Sequence, residues 1–135
     1  MTQGHHEVGV RHLPWLLAAF FVLALLYGVV NPILEAPDEV QHYYYVRHIS
    51  QTGRLAVQDP DQVALYRQEG SQPPLYYLLG ALLTFWIDQS DAEEVIRENP
   101  HVNLGVPQAF GNKNAVVHRA DEGFPYRGMS LAVHL

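Results

Sequence analysis

Glu35, Asp38, Glu39 and His42, four residues able to hold or pass a proton, fall within one short stretch of this chain. Carboxylates and an imidazole at that spacing suit general acid–base chemistry, in which one carboxylate takes the proton of an attacking hydroxyl and a neighbour orients it. Pro37 pushes Ala36 out of the α region, so the chain turns there. A helix from about Asp38 to Ser50 then brings His42 within reach of both acids, four residues from Asp38 and three from Glu39. Asp38 and Glu39, being adjacent, point about 100° apart and cannot face the same substrate atom. The same residues have a plainer use. Asp and Glu at a helix start are common caps and suit its positive end, and taken alone that use outweighs catalysis. Glu39-x-x-His42 is half of a di-metal carboxylate pattern whose second half the chain lacks, so no metal ligand set is expected.

Position changes the weighing. Leu13–Val30 carries no charge. As a helix it is roughly 27 Å long, close to the thickness of a bilayer core. Ile33 and Leu34 extend the apolar run beyond Asn31-Pro32, which gives a transmembrane helix over 13–34 after a short tail, 1–12. Trp15 and Tyr27 stand near its ends, where amphipathic rings favour headgroups. The run exceeds the h-region of a signal peptide, and no small-residue cleavage site follows it. Arg11 and the terminal amine precede the helix and the next cation is Arg47, which favours a cytoplasmic N-terminus. Asp38 comes eight residues after Val30, and a lipid-linked substrate carries its polar head at that depth.

The whole chain has 135 residues, enough for one domain, and is 48% hydrophobic. Eight Lys and Arg against 14 Asp and Glu give a net charge of −6, which argues against a nucleic-acid surface. Without cysteine there is neither a disulfide framework nor a thiolate. After the acidic helix, which Gly53 should close as a C-cap, comes a polar stretch with a turn at Asp59-Pro60-Asp61. Gln72-Pro73-Pro74-Leu75-Tyr76-Tyr77 then opens an uncharged run to Ile87, too short to span a membrane and suited to an interfacial helix near 74–87. Ser90-Asp91-Ala92-Glu93 reads as a capping box for a short helix near 91–98. From Asn99 to Gly128 the pattern shows no period, which marks a functional loop or one packed on a partner. Leu131–Leu135 reads as the start of a second membrane helix.

Taken in order, these pieces resemble the N-terminal end of membrane glycosyltransferases with the C-type fold, in the bacterial branch related to protein O-mannosyltransferases and lipid A aminoarabinose transferases. The resemblance is carried by Glu35-Ala-Pro-Asp38-Glu39-x-x-His42-Tyr43, by Ile49…Gly53-Arg54-Leu55, by Gln72-Pro-Pro-Leu-Tyr-Tyr77, and by the run from Gly111-Asn-Lys-Asn114 to Phe124-Pro-Tyr-Arg-Gly128. It implies a first extracytoplasmic loop with acidic catalytic residues and a polyprenyl-phosphate-sugar donor. On these positions Asp38 would be the base or acceptor-orienting carboxylate, and Glu39 its supporting acid. Glu35, His42, Arg54, Gln72 and Tyr76 would form the substrate-binding set. Gln72 stands where the aminoarabinose branch commonly has Lys, a departure that speaks against a lipid A substrate.

The expectation is therefore a mainly α membrane chain: one N-terminal transmembrane helix, an extracytoplasmic region over 35–128 with helices near 38–50, 74–87 and 91–98, and the start of a second membrane helix at 129–135. It would be the N-terminal part of a multi-pass plasma-membrane glycosyltransferase, inactive without the further helices that complete its site. Its partners would be the lipid-linked donor, the bilayer and those helices. No cofactor is called for by any motif, and a divalent cation at the leaving phosphate is the one addition the chemistry leaves open. The alternative is a non-enzymatic single-pass protein whose acidic juxtamembrane region binds a partner.

Overall fold

An apolar run with no polar face folds here as one long helix, α1, over Gly4–Val30. The computed structural model describes residues 4–135 apart from 104, 105, 109 and 112, with side chains from Arg11 onward. Residues 1–3 of the tail and Asn112 in the Gly111–Asn114 stretch lie outside the described residues. The helix begins well before Leu13, taking in most of the expected tail. Pro14 consequently sits inside α1 rather than in its first turn, and the carbonyl of Val10 loses its helical N–H partner. Arg11–Val30 has a mean hydropathy of 2.3 and is long and apolar enough to cross a membrane.

The chain divides into two units, Met1–Asn31 and Pro32–Leu135. The second contains α2 (Glu39–Thr52), α3 (Leu75–Thr84), α4 (Ala92–Val95) and α5 (Gly128–His134), with 3-10 turns at Arg67–Ser71 and Ala120–Glu122. Among the described residues there is no strand, only isolated bridges such as Glu98 with Val116. The protein is thus mainly helical.

In this unit α2 is the spine, because residues two apart on a helix point about 200° apart. Tyr43 faces one core cluster with Ile33, Leu34, Ala92, Val116 and Met129. Tyr45 and Ile49 face a second, with Tyr66, Tyr77 and Ala81. Stacking of Tyr45 on Tyr77, with ring centroids 4.0 Å apart, fixes α3 against α2. Gly80 allows the close approach, since a Cβ there would lie 3.0 Å from the Val46 side chain. As expected, Gly53 ends α2 at φ 64°, its N–H bonded to the Ile49 carbonyl.

Two of the sequence expectations take a different form. The 99–128 segment packs on its own unit, with Val116 buried in the first cluster and Asn99 N–H bonded to the Ala115 carbonyl. Asp91 does not cap its own short helix. Its Oδ1 instead accepts the Met129 N–H at 2.9 Å and so caps the distant α5. Gly128, at φ 52°, lies directly against that carboxylate, and a Cβ there would collide with it. Gly128→Ala should destabilise the unit by about 2 kcal/mol, combining a left-handed penalty with a weakened charged hydrogen bond. A lowered urea midpoint at unchanged slope, in detergent micelles, is the expected reading.

Candidate functional site

The site is built from the start of α2, the 3-10 turn at Arg67–Ser71 and the start of α3. Asp38 occupies the N-cap position of α2, yet its side chain makes no capping hydrogen bond. The turn is instead closed by Glu39, whose Oε2 accepts the Ala36 N–H at 3.2 Å. Capping was the plainer explanation for Asp38, and the geometry gives the corresponding work to its neighbour. The Asp38 carboxylate is turned toward His42, with Oδ2 3.7 Å from Nε2.

His42 is held by α3. Its ring stacks on Tyr77 with centroids 5.7 Å apart and meets Tyr76 edge-on at 6.3 Å. Nδ1 lies 2.7 Å from the Tyr77 hydroxyl. Burial, together with the Glu69 charge, pushes the tyrosine pKa up to about 12. The second ring nitrogen, Nε2, faces Asp38 Oδ2 and Glu69 Oε2, each 3.7 Å away.

Glu69 is only 4% exposed, a buried carboxylate that the motifs did not signal. It is carried by a turn whose first residue, Arg67, is held at φ 43°, a conformation uncommon outside glycine. A second such residue, Leu34 at φ 62°, is fully buried just before Glu35. Each bend sets the course of the chain close to a glutamate, Glu69 and Glu35 respectively, and strain of this kind persists only where packing over-determines it.

A groove of about 210 Å³ opens beside His42, with Tyr76, Leu79, Leu83, Val133 and Leu135 among its walls. Glu39 lies at its edge. The buried stripe of α3 is Tyr77, Ala81 and Thr84, while Leu75, Leu78, Leu79, Leu82, Leu83, Phe85 and Trp86 are exposed. This helix presents a largely apolar face outward, an exposed patch larger than scattered surface hydrophobics make. A larger cavity, about 510 Å³, sits elsewhere, with Asp91, Glu94, Asp121, Glu122, Arg119 and Arg127 among its lining residues. Its mixed charges favour neither an anion nor a cation.

Of the residues proposed from the sequence, Asp38, Glu39, His42 and Tyr76 come together. Gln72 ends the turn that carries Glu69, its side chain exposed and its N–H bonded to the Glu69 carbonyl. Arg54 lies past the far end of α2 from Asp38, exposed, with its N–H on Thr52 Oγ1. Glu35 belongs to a separate cluster. It accepts the Ala115 N–H at 2.7 Å and pairs with His118 Nε2, while His118 Nδ1 lies 3.0 Å from Glu122. Burial opposes charge on His118, but hydrogen bonds to Glu122 and Glu35 outweigh it and raise its pKa. Glu69, Tyr77, His118 and Glu122 were missed from sequence. For Tyr77 the available signal was its place in Gln72-Pro-Pro-Leu-Tyr-Tyr77, and for Glu69 and the loop pair there was none.

No protein-family model, curated protein or solved structure matches this chain.

Proposed function

We propose that this chain is the N-terminal part of a membrane glycosyltransferase that moves a sugar from a polyprenyl-phosphate donor to an acceptor hydroxyl. The observation that carries the reading is the release of Asp38 from capping and its orientation toward His42, beside a groove with apolar walls. In this scheme α1 crosses the plasma membrane and the 35–128 region is extracytoplasmic. The α5 segment leads into a second membrane helix. The outward apolar face of α3 lies in the interface, and the groove takes the first part of the prenyl chain, bringing the donor phosphate toward His42.

Asp38 accepts the acceptor's proton as its oxygen attacks the anomeric carbon. The new C–O bond forms while the bond to phosphate breaks, and polyprenyl phosphate leaves with the electron pair. Glu39 holds the turn that aims Asp38. Further membrane helices supply the remaining donor and acceptor contacts, since such chemistry requires a supporting shell.

The test is to express the complete reading frame in membranes and supply synthetic polyprenyl-phosphate hexoses and pentoses with a radiolabelled sugar. Label moving to an endogenous or added acceptor supports the reading. A verified, membrane-inserted product that consumes none of these donors would leave the single-pass partner-binding protein in its place.

A further inference from the structure

We infer that Asp38, His42 and Glu69 form a binding site for one divalent transition-metal ion that accepts mixed nitrogen and oxygen ligands, of the Mn²⁺ or Zn²⁺ type. The three side chains come from two elements distant in sequence, and each offers a ligand atom within 4.8 Å of the others. His42 Nε2 stands 3.7 Å from a carboxylate oxygen on either side. That separation is outside hydrogen-bond range. Around a tetrahedral ion with bonds of 2.0–2.2 Å, ligand atoms lie about 3.4 Å apart. Contraction by a few tenths of an ångström about His42, with the two carboxylates drawn together, would complete the set.

The surroundings of His42 point the same way. Its Nδ1 meets the Tyr77 hydroxyl at 2.7 Å, and its other nitrogen is aimed at two carboxylate oxygens. With Tyr77 on Nδ1, Nε2 is the nitrogen left to ligate an ion standing between those oxygens. Tyr77 plays the part of an outer ligand that fixes the tautomer of a metal-binding histidine. Glu69 makes the demand sharper, because a buried carboxylate needs ionic compensation, and among the described residues His42 is its one ionic partner within hydrogen-bonding or salt-bridge reach. Three protein ligands with Asp38 on the exposed side leave an open position, the arrangement of catalytic rather than structural sites. Imidazole selects for transition ions, and the ligand number falls short of what Ca²⁺ takes. At the open position the ion would face a phosphate oxygen and neutralise charge as the phosphate leaves. One oxygen of Asp38 would serve the ion and leave the other for the acceptor. That role rests on the transferase reading, whereas the ion's binding does not.

The experiment uses the present chain in detergent micelles with His5, His6 and His12 replaced by Ala, which removes the N-terminal histidines as competing ligands. Titration with Mn²⁺, followed by electron paramagnetic resonance of the free ion, should show one ion per chain, displaced by Zn²⁺. His42→Ala and Glu69→Gln should abolish stoichiometric binding. Tyr77→Phe should weaken it roughly 10–100-fold. Asp38→Asn, at an exposed position, should weaken it while leaving the helical circular dichroism unchanged, so the answer does not depend on the buried variants folding. Absence of stoichiometric binding, or binding indifferent to His42→Ala and Asp38→Asn, would overturn the site. No donor or acceptor is present, so this failure would not touch the transfer assay, nor would failed transfer touch the titration.

Discussion

On the proposed transferase reading, Asp38→Asn in the complete reading frame should reduce sugar transfer roughly 10²–10⁴-fold, the range that loss of a general base produces. The chain should still insert and fold. Asp38 is exposed and makes no capping bond, so its carboxylate contributes little to holding α2 together. Asparagine keeps the shape and the hydrogen-bonding oxygen but cannot take a proton. Glu39→Gln provides the contrast, because its amide oxygen can still accept the Ala36 N–H and keep the turn closed. That variant should retain activity to within about tenfold. Equal losses in both would mean that the acids act as one electrostatic patch. Full activity of Asp38→Asn would remove the residue from the chemistry altogether. Initial rates at saturating donor, with membrane content of each variant checked by immunoblot, separate these results.

Where the chain obeys local rules, the sequence reading and the structure coincide. The turn at Pro37, the helix through His42 and Tyr45, the left-handed Gly53 cap and the start of α3 just after Pro74 all follow from backbone preferences within a few residues. The reading fails where a partner is remote. His42 and Tyr77 are 35 residues apart, and Glu35 and His118 are 83 apart, with no period or motif linking either pair. Asp91 shows the same limit from the other direction. Its local context, Ser-Asp-Ala-Glu, fits a capping box, but tertiary packing lends the carboxylate to α5. The pairing of Asp38 with His42 was visible because four residues is about one helical turn. The third member, Glu69, comes from a strained bend at Arg67 that no pattern announces. Two of these three members were therefore legible, and they lie within one helical turn at the start of α2.

His118→Ala should destabilise the second unit by about 2 kcal/mol near neutral pH, between the worth of an exposed ion pair and the loss on breaking a fully buried one, because the three side chains are half-buried. The wild-type margin should itself shrink as the pH rises. His118 stands between Glu35, next to the acidic turn, and Glu122, whose side chain is 8% exposed. With both nitrogens facing carboxylates, the imidazolium donates to each. Arg97 reinforces the pair by bonding Glu122 at 2.8 Å. Removing the imidazolium from so enclosed a set leaves carboxylates facing each other with the charge between them gone.

The pH dependence follows from the raised pKa of His118. Folding favours the protonated form, so the stabilisation is fully present below the unfolded value of about 6.5 and is lost as pH rises through the higher folded value. Urea midpoints of the wild type in micelles should fall across that alkaline window, and those of His118→Ala should lack the step. Hydrogen exchange gives the local counterpart. The Ala115 amide, bonded to Glu35, should lose protection over the same interval in the wild type and exchange fast at every pH in the variant. A wild-type midpoint that rises with pH through this window would mean that His118 is neutral in the fold, contrary to its two carboxylate partners. The acidic turn next to Asp38 follows Glu35 directly, so loosening this tie should also reach the site, and on the proposed transferase reading transfer should decline on the alkaline side together with Ala115 protection.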